Sequence, residues 1–196
     1  MQYFPGDLLH VYNRGNNKQQ IFFNDDNYTF FLGKITKHVS ADIVAYCLMP
    51  NHFHFLLLHI NETCCQSKKV GSLISTELHN GFRVAQSSYA GNINKQQNRT
   101  GSLFQQNTRY KPLNSSAEES GNYAEVCFNY IHQNPLKTSL VANLEDWPYS
   151  SFSEYMFNKE GICRKELAYD LFRINSANFY EVSYTAVDPA LLEKIF

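Results

Sequence analysis

The chain has 196 residues, a length that suits one domain with an appended tail, and its 43% hydrophobic and 15% aromatic content exclude a disordered chain. No apolar run approaches the roughly 18 residues of a membrane span, and residues 1–6 lack the basic-then-apolar layout of a secretory signal, so a cytoplasmic protein without a membrane partner is expected. The net charge of −1 argues against a uniformly basic nucleic-acid surface.

Residues 8–13 (LLHVYN) read as a short strand, followed by the turn-rich Arg14-Gly15-Asn16-Asn17. Asn24, Asp25 and Asp26 offer N-caps for a helix running to about Val39, with Phe30, Phe31, Ile35 and Val39 on its apolar side. Residues 43–48 are β-rich, Met49-Pro50-Asn51 breaks them, and residues 52–58 form a second strand, which together predict a hairpin.

Val70, Leu73, Ile74, Glu77, Leu78, Gly81, Phe82 and Ala85 follow the rhythm of an amphipathic helix. Residues 91–100 are polar and rich in Gln and Asn, which predicts a mobile loop, and residues 103–111 predict another strand. Between Glu77 and Glu118 there is no acidic residue, while Arg83, Lys95, Arg99, Arg109 and Lys111 all lie there. That stretch carries +5, which leaves the remainder of the chain at −6. Such a segment can be a local track for DNA on an otherwise acidic protein. An ordinary solvated loop is the plain alternative for Lys95, Arg99, Arg109 or Lys111 taken singly.

Residues 115–134 read as a helix closed by Pro135, and the tail from Trp147 reads as short helices with aromatic packing residues. The order β-α-β-β-α-β-α predicts an α+β, ferredoxin-like antiparallel sheet with helices packed on it and a short helical C-terminal extension. The expected division is a domain over residues 1–150 and an extension over 151–196. Five cysteines, an odd number, fit a reducing compartment; no C-x-x-C occurs, so buried free thiols are expected rather than a sulfur-based zinc site.

His52-Phe53-His54 is the most informative tripeptide. In a strand, residues i and i+2 share a face, so both imidazoles project together while Phe53 and Phe55 pack behind them. Two converging histidines suit a divalent metal, and a pair that merely lines a sheet is the alternative. Tyr130 and Asn134, four apart on the predicted helix, lie on one helix face. They can supply a nucleophile and a third metal ligand, or be one packing ring among thirteen tyrosines and a helix-ending residue before proline. His132 lies roughly 200° round the helix from Tyr130 and is expected to point away. His10, His38, His59 and His79 read as structural or surface residues.

Met49-Pro50-Asn51-His52-Phe53-His54-Phe55-Leu56-Leu57 resembles the metal-binding strand of the HUH single-strand transposases, and Tyr130-Ile131-His132-Gln133-Asn134-Pro135-Leu136-Lys137 resembles the tyrosine helix of the same family. Asn13-Arg14-Gly15-Asn16-Asn17, Arg99-Thr100-Gly101-Ser102-Leu103-Phe104-Gln105 and Asp146-Trp147-Pro148-Tyr149-Ser150-Ser151 match in family order, over roughly residues 7–155. The last block resembles the REP-associated tyrosine transposase branch; Leu136 stands where the family has valine.

The resemblance implies that His52, His54 and Asn134 hold Mg²⁺ or Mn²⁺. It also implies that Tyr130 is the nucleophile, forming a 5′-phosphotyrosine with single-stranded or hairpin DNA. Shorter relatives are dimers that exchange tyrosine helices, whereas the REP-associated branch can use one chain, so a homodimer and a self-sufficient chain both stay open. The competing readings are a rolling-circle or relaxase-type nickase, a domesticated hairpin-DNA-binding protein and, more distantly, a cupin-like metalloenzyme.

Overall fold

The computed structural model describes residues 4, 6–58, 67–70, 73–113 and 120–187, with the backbone alone at 67–70, 73–74 and 120–122. A four-stranded antiparallel sheet runs in the order β2-β3-β1-β6, built from β1 (Leu9–Arg14), β2 (Asp42–Met49), β3 (His52–Leu58) and β6 (Arg109–Pro112). With α1 (Asp25–His38) after β1 and α2 (Glu77–Gln96) before β6, this is the ferredoxin-like β-α-β-β-α-β arrangement that the sequence predicts. A separate hairpin, β4 (Ser67–Val70) with β5 (Leu73–Thr76), is inserted between β3 and α2.

Strands β2 and β3 of the central sheet are covered on both faces. On one side Leu9, Val11, Tyr46, Leu48, Phe53, Phe55 and Leu57 pack against Phe31 and Ile35 of α1 and Phe82, Ala85 and Tyr89 of α2. On the other, Val44, Cys47, Met49 and Leu56 pack against Cys127, Phe128 and Ile131 of α3 (Ser120–Lys137). That second layer also takes in Phe152 and Tyr155 of α4 (Phe152–Met156), Ala168 and Phe172 of α5 (Lys165–Phe172), and Phe179 of α6 (Phe179–Ser183). Two-sided burial explains why β2 and β3 read as nearly continuous apolar runs. Each fully buried phenylalanine in these layers contributes about 2–3 kcal/mol of transfer free energy.

The Asn24 side chain accepts from the Asn27 backbone N–H and caps α1, as the sequence predicts. Gly81 lets α1 and α2 meet closely, because a Cβ there would overlap the His38 carbonyl oxygen. Four expectations need correction. The predicted start of the second helix, at Val70, Leu73 and Ile74, is the β4–β5 hairpin; α2 begins only at Glu77, where Thr76 accepts from the His79 N–H as an N-cap. Residues 91–96, expected as loop, are the last turns of α2, held because Ile93 is buried against the core. Pro135 does not end α3 but sits in its last turn, where a proline forfeits only one backbone bond. The fourth strand is also shorter than expected, and Phe104 contributes only an isolated bridge to Gly15. Residues 115–119, predicted as helix, and His59, Cys64 and Cys65 lie outside the described residues.

The Trp147-to-Ser151 block acts as an edge strap on β2. Trp147 Nε1 donates to the Leu48 carbonyl at 3.0 Å, Leu48 N–H donates to the Tyr149 carbonyl, and Ser151 exchanges bonds with the Tyr46 backbone. Tyr149 stacks on Tyr28 of α1 at 3.6 Å between ring centroids. The strap satisfies backbone groups that an open edge would expose. Among the described residues, Cys47, Cys127 and Cys163 are free thiols, and no helix is long and apolar enough to cross a membrane.

Candidate functional site

The register of β3 decides where its histidines go. His52 faces Arg14 and Met49, and His54 faces Tyr12 and Cys47, all on the α3 side of the sheet, while Phe53 and Phe55 pack against α1 and α2. The two imidazoles are 5.1 Å apart between ring centroids and nearly perpendicular. α3 crosses the same face, which sets the Tyr130 ring edge-to-face with His54 at 5.6 Å. Asn134, one turn further along, donates from Nδ2 to the Tyr130 carbonyl at 3.0 Å, and its side chain also hydrogen-bonds both the His52 ring and the Tyr130 hydroxyl. His52, His54, Tyr130 and Asn134 therefore converge, all from one chain.

Electrostatics keeps these groups neutral. Burial pushes His52 down to about 4, with the Arg14 charge acting in the same sense and the Asn134 hydrogen bond opposing it. Burial, then the neighbouring His10 and His52, holds His54 well below the usual imidazole range. Both rings are thus neutral at neutral pH, each with one unprotonated nitrogen. The Tyr130 phenol is pushed up to about 12, chiefly by burial and against the pull of its Asn134 hydrogen bond, so it is protonated at neutral pH. The Lys137 ammonium stands over its ring at 5.2 Å.

His52 Nδ1 lies 2.6 Å from Asn51 Oδ1, an oxygen that can only accept, so Nδ1 carries the proton and Nε2 is the unprotonated nitrogen. The donor set is two neutral imidazole nitrogens and an amide oxygen, which suits a borderline divalent ion. Among the described residues there is no cluster of three or more His, Cys, Asp or Glu that could hold a metal ion.

A cleft of about 390 Å³ opens onto this cluster, lined by Tyr12, Asn13, Arg14, Lys18, Asn51, His52, His54, Gln105, Asn107, Arg109 and Tyr130. Through Asn13, Gln105, Asn107 and Arg109 it adjoins a larger groove of about 1040 Å³ between α2 and residues 101–110. Gln86 and Thr108 brace that wall by hydrogen bonds to each other and to Asn13.

Of the four basic residues singled out in the sequence, the structure brings two to this face. Arg109 pairs with Tyr12 and lines the cleft, and its charge pulls against the burial that raises the Tyr12 hydroxyl; Lys111 pairs with His10. Lys95 and Arg99 instead sit at the far end of α2, where Arg99 bonds the Ser102 carbonyl. Arg14, whose role is unreadable from sequence, and Lys18 line the cleft on either side of Gly15, where a Cβ would overlap the Gln19 carbonyl oxygen. His10 was expected to be structural or at the surface; it is fully buried, with Nε2 2.9 Å from His54 Nδ1.

His132 points away from the cleft, as its helical angle requires. Its Nε2 lies 2.8 Å from Ser151 Oγ, and its ring packs among Phe128, Phe152, Tyr155 and Phe179. The tyrosine helix is thus tied to the edge strap. Burial pushes His132 down to about 3. Its folded value lies below its unfolded value, so the unfolded chain binds the extra proton and stability is lost as pH falls from about 6.5 towards 3. His132→Leu should flatten the slope of urea stability against pH in that window by up to about 1.4 kcal/mol per pH unit. An unchanged slope would show that this histidine is not buried in its neutral form.

No protein-family model matches the chain. A protein of Haemophilus influenzae described as a REP-associated tyrosine transposase is 27% identical over 116 residues, which are 59% of this chain and 61% of that protein, less than two thirds of its length. A REP-associated tyrosine transposase solved bound to a REP hairpin superposes with a TM-score of 0.57 at 17% identity, covering 83% of this chain and 87% of that one. The chain is thus similar in sequence to the first over part of its length and shares the fold of the second.

Proposed function

We propose that this chain is a transposase-type nuclease that cleaves and rejoins single-stranded or hairpin DNA through a 5′-phosphotyrosine, with Tyr130 as nucleophile. The observation that carries this reading is the convergence of a partly buried phenol and two neutral imidazoles on one open cleft, with the Asn134 amide beside them, bonded to the Tyr130 carbonyl. The solved relative bound to a REP hairpin supports a hairpin ligand.

In this reading His52 Nε2, His54 Nε2 and the Asn134 amide oxygen hold Mg²⁺ or Mn²⁺. Such an ion, when bound, supplies Lewis-acid polarisation of the scissile phosphate and offsets its charge. Tyr130 Oη attacks the phosphorus, an O–P bond forms, the P–O3′ bond breaks, and the departing 3′-oxygen takes up a proton. The phenol proton is retained until attack because burial holds it well above neutrality. Asn134 orients the hydroxyl and resists that penalty by its hydrogen bond. Rejoining reverses the same exchange of phosphodiesters and needs no nucleotide. Arg109, Arg14 and Lys18 at the cleft, with Lys111 alongside, bind the strand's phosphates; Lys95 and Arg99 serve DNA further along α2.

All members of the set come from one chain, so a second copy is not required to complete it. Residues 1–150 form the transposase domain in this proposal, and 151–196 an extension that steadies α3. The test is incubation with an end-labelled single-stranded hairpin, with Mn²⁺ or with chelator. Nicking only when metal is present is expected; tight hairpin binding without nicking under any divalent metal would instead identify a DNA-binding protein that has lost catalysis.

A further inference from the structure

We infer that His10 is a positioning residue for His54, fixing the tautomer in which His54 presents an unprotonated Nε2 to a metal ion; this rests on the metal site proposed above. A ligating histidine must offer an unprotonated nitrogen, and which nitrogen that is depends on the hydrogen bond made by the other one. For His52 the matter is settled by the acceptor-only Asn51 oxygen at Nδ1. His54 has the same need. It is met by a second imidazole, His10 Nε2, 2.9 Å from His54 Nδ1.

One of those two nitrogens donates and the other accepts. If His54 Nδ1 accepted, its proton would sit on Nε2 and the ring could not ligate. The ligating arrangement therefore requires His54 Nδ1–H to donate and His10 Nε2 to accept. The surroundings hold His10 in place for that task. It lies fully buried in the middle of β1, between Leu56 of β3 and Lys111 of β6, stacks with His54 at 5.1 Å and meets the tilted Tyr12 ring at 4.7 Å between centroids. A histidine is a costly residue to bury if packing were its only use, since a phenylalanine fills similar space without polar atoms to satisfy. The two Nδ1 anchors, Asn51 on the β2–β3 turn and His10 on β1, come from different elements yet place the proton on Nδ1 in the same way.

The test uses the full chain and Mn²⁺ as probe, with free Mn²⁺ followed by electron paramagnetic resonance. His10→Phe should weaken Mn²⁺ binding roughly 10–100-fold, the range for loss of a histidine-orienting partner. His10→Gln, whose side-chain oxygen can accept in place of Nε2, should remain close to wild type, and circular dichroism should show both folded. Nitrogen-15 NMR of the metal-free wild type should show His54 protonated at Nδ1, a reading independent of whether His10→Phe folds. Wild-type affinity in folded His10→Phe, or a proton on His54 Nε2, would overturn the His10 role alone, provided that His52→Ala still loses Mn²⁺. A wild type that takes up no Mn²⁺ would overturn the metal site and this inference with it.

Discussion

Tyr130→Phe is expected to abolish nicking and the covalent protein–DNA adduct while leaving hairpin binding nearly intact. The substitution removes one oxygen, and the ring keeps its edge-to-face contact with His54 and its place under Lys137. The structural loss is the hydrogen bond to Asn134, worth about 1 kcal/mol. What disappears chemically is the only atom in that position able to bond to phosphorus. Wild type incubated with labelled hairpin and Mn²⁺ should give a protein band that carries label in a denaturing gel, and Tyr130→Phe should give none. Tyr12 lines the same cleft. If Tyr130→Phe still forms the band and Tyr12→Phe does not, the nucleophile is on β1 and the assignment to α3 is wrong.

The parts of this arrangement legible in the sequence are those governed by short-range periodicity. Strand β3 runs over the expected residues because His52 to Leu58 alternates between faces and is preceded by a proline-containing turn. Tyr130 and Asn134 share a face because four residues are close to one helical turn. What failed was set by contacts distant in sequence. The spacing of Val70, Leu73 and Ile74 continues smoothly into α2, yet those residues pair as a hairpin, and a helical rhythm of three positions cannot exclude that. The Gln- and Asn-rich residues 91–96 are helical because Ile93 reaches the core and Asn94 holds the Gly101 carbonyl. His10 looked unremarkable because its partner is 44 residues away and becomes a neighbour only through the β1–β3 register. The basic segment divides for the same reason: β6 brings Arg109 to the cleft and Lys111 to the same face beside it, whereas Lys95 and Arg99 end at the far end of α2.

His52→Ala is expected to abolish nicking as well, but by a route that separates it from Tyr130→Phe. With its value pushed down to about 4, the imidazole is neutral at working pH, so the substitution deletes a lone pair rather than a charge. Hairpin affinity measured in chelator should therefore stay near wild type, since Arg14, Lys18 and Arg109 still line the cleft. His54 and Asn134 remain as two of three donors, which weakens the site without removing it. Raising Mn²⁺ should then restore part of the nicking in His52→Ala by mass action, and no concentration should restore any in Tyr130→Phe, where the missing part is the nucleophile. The measurement is the nicking rate of both variants across a Mn²⁺ titration. A His52→Ala protein that nicks like wild type at limiting Mn²⁺ would remove His52 from the metal site. One that stays inactive at every Mn²⁺ concentration, while folded and still binding hairpin, would mean that His54 and Asn134 cannot retain the ion without it.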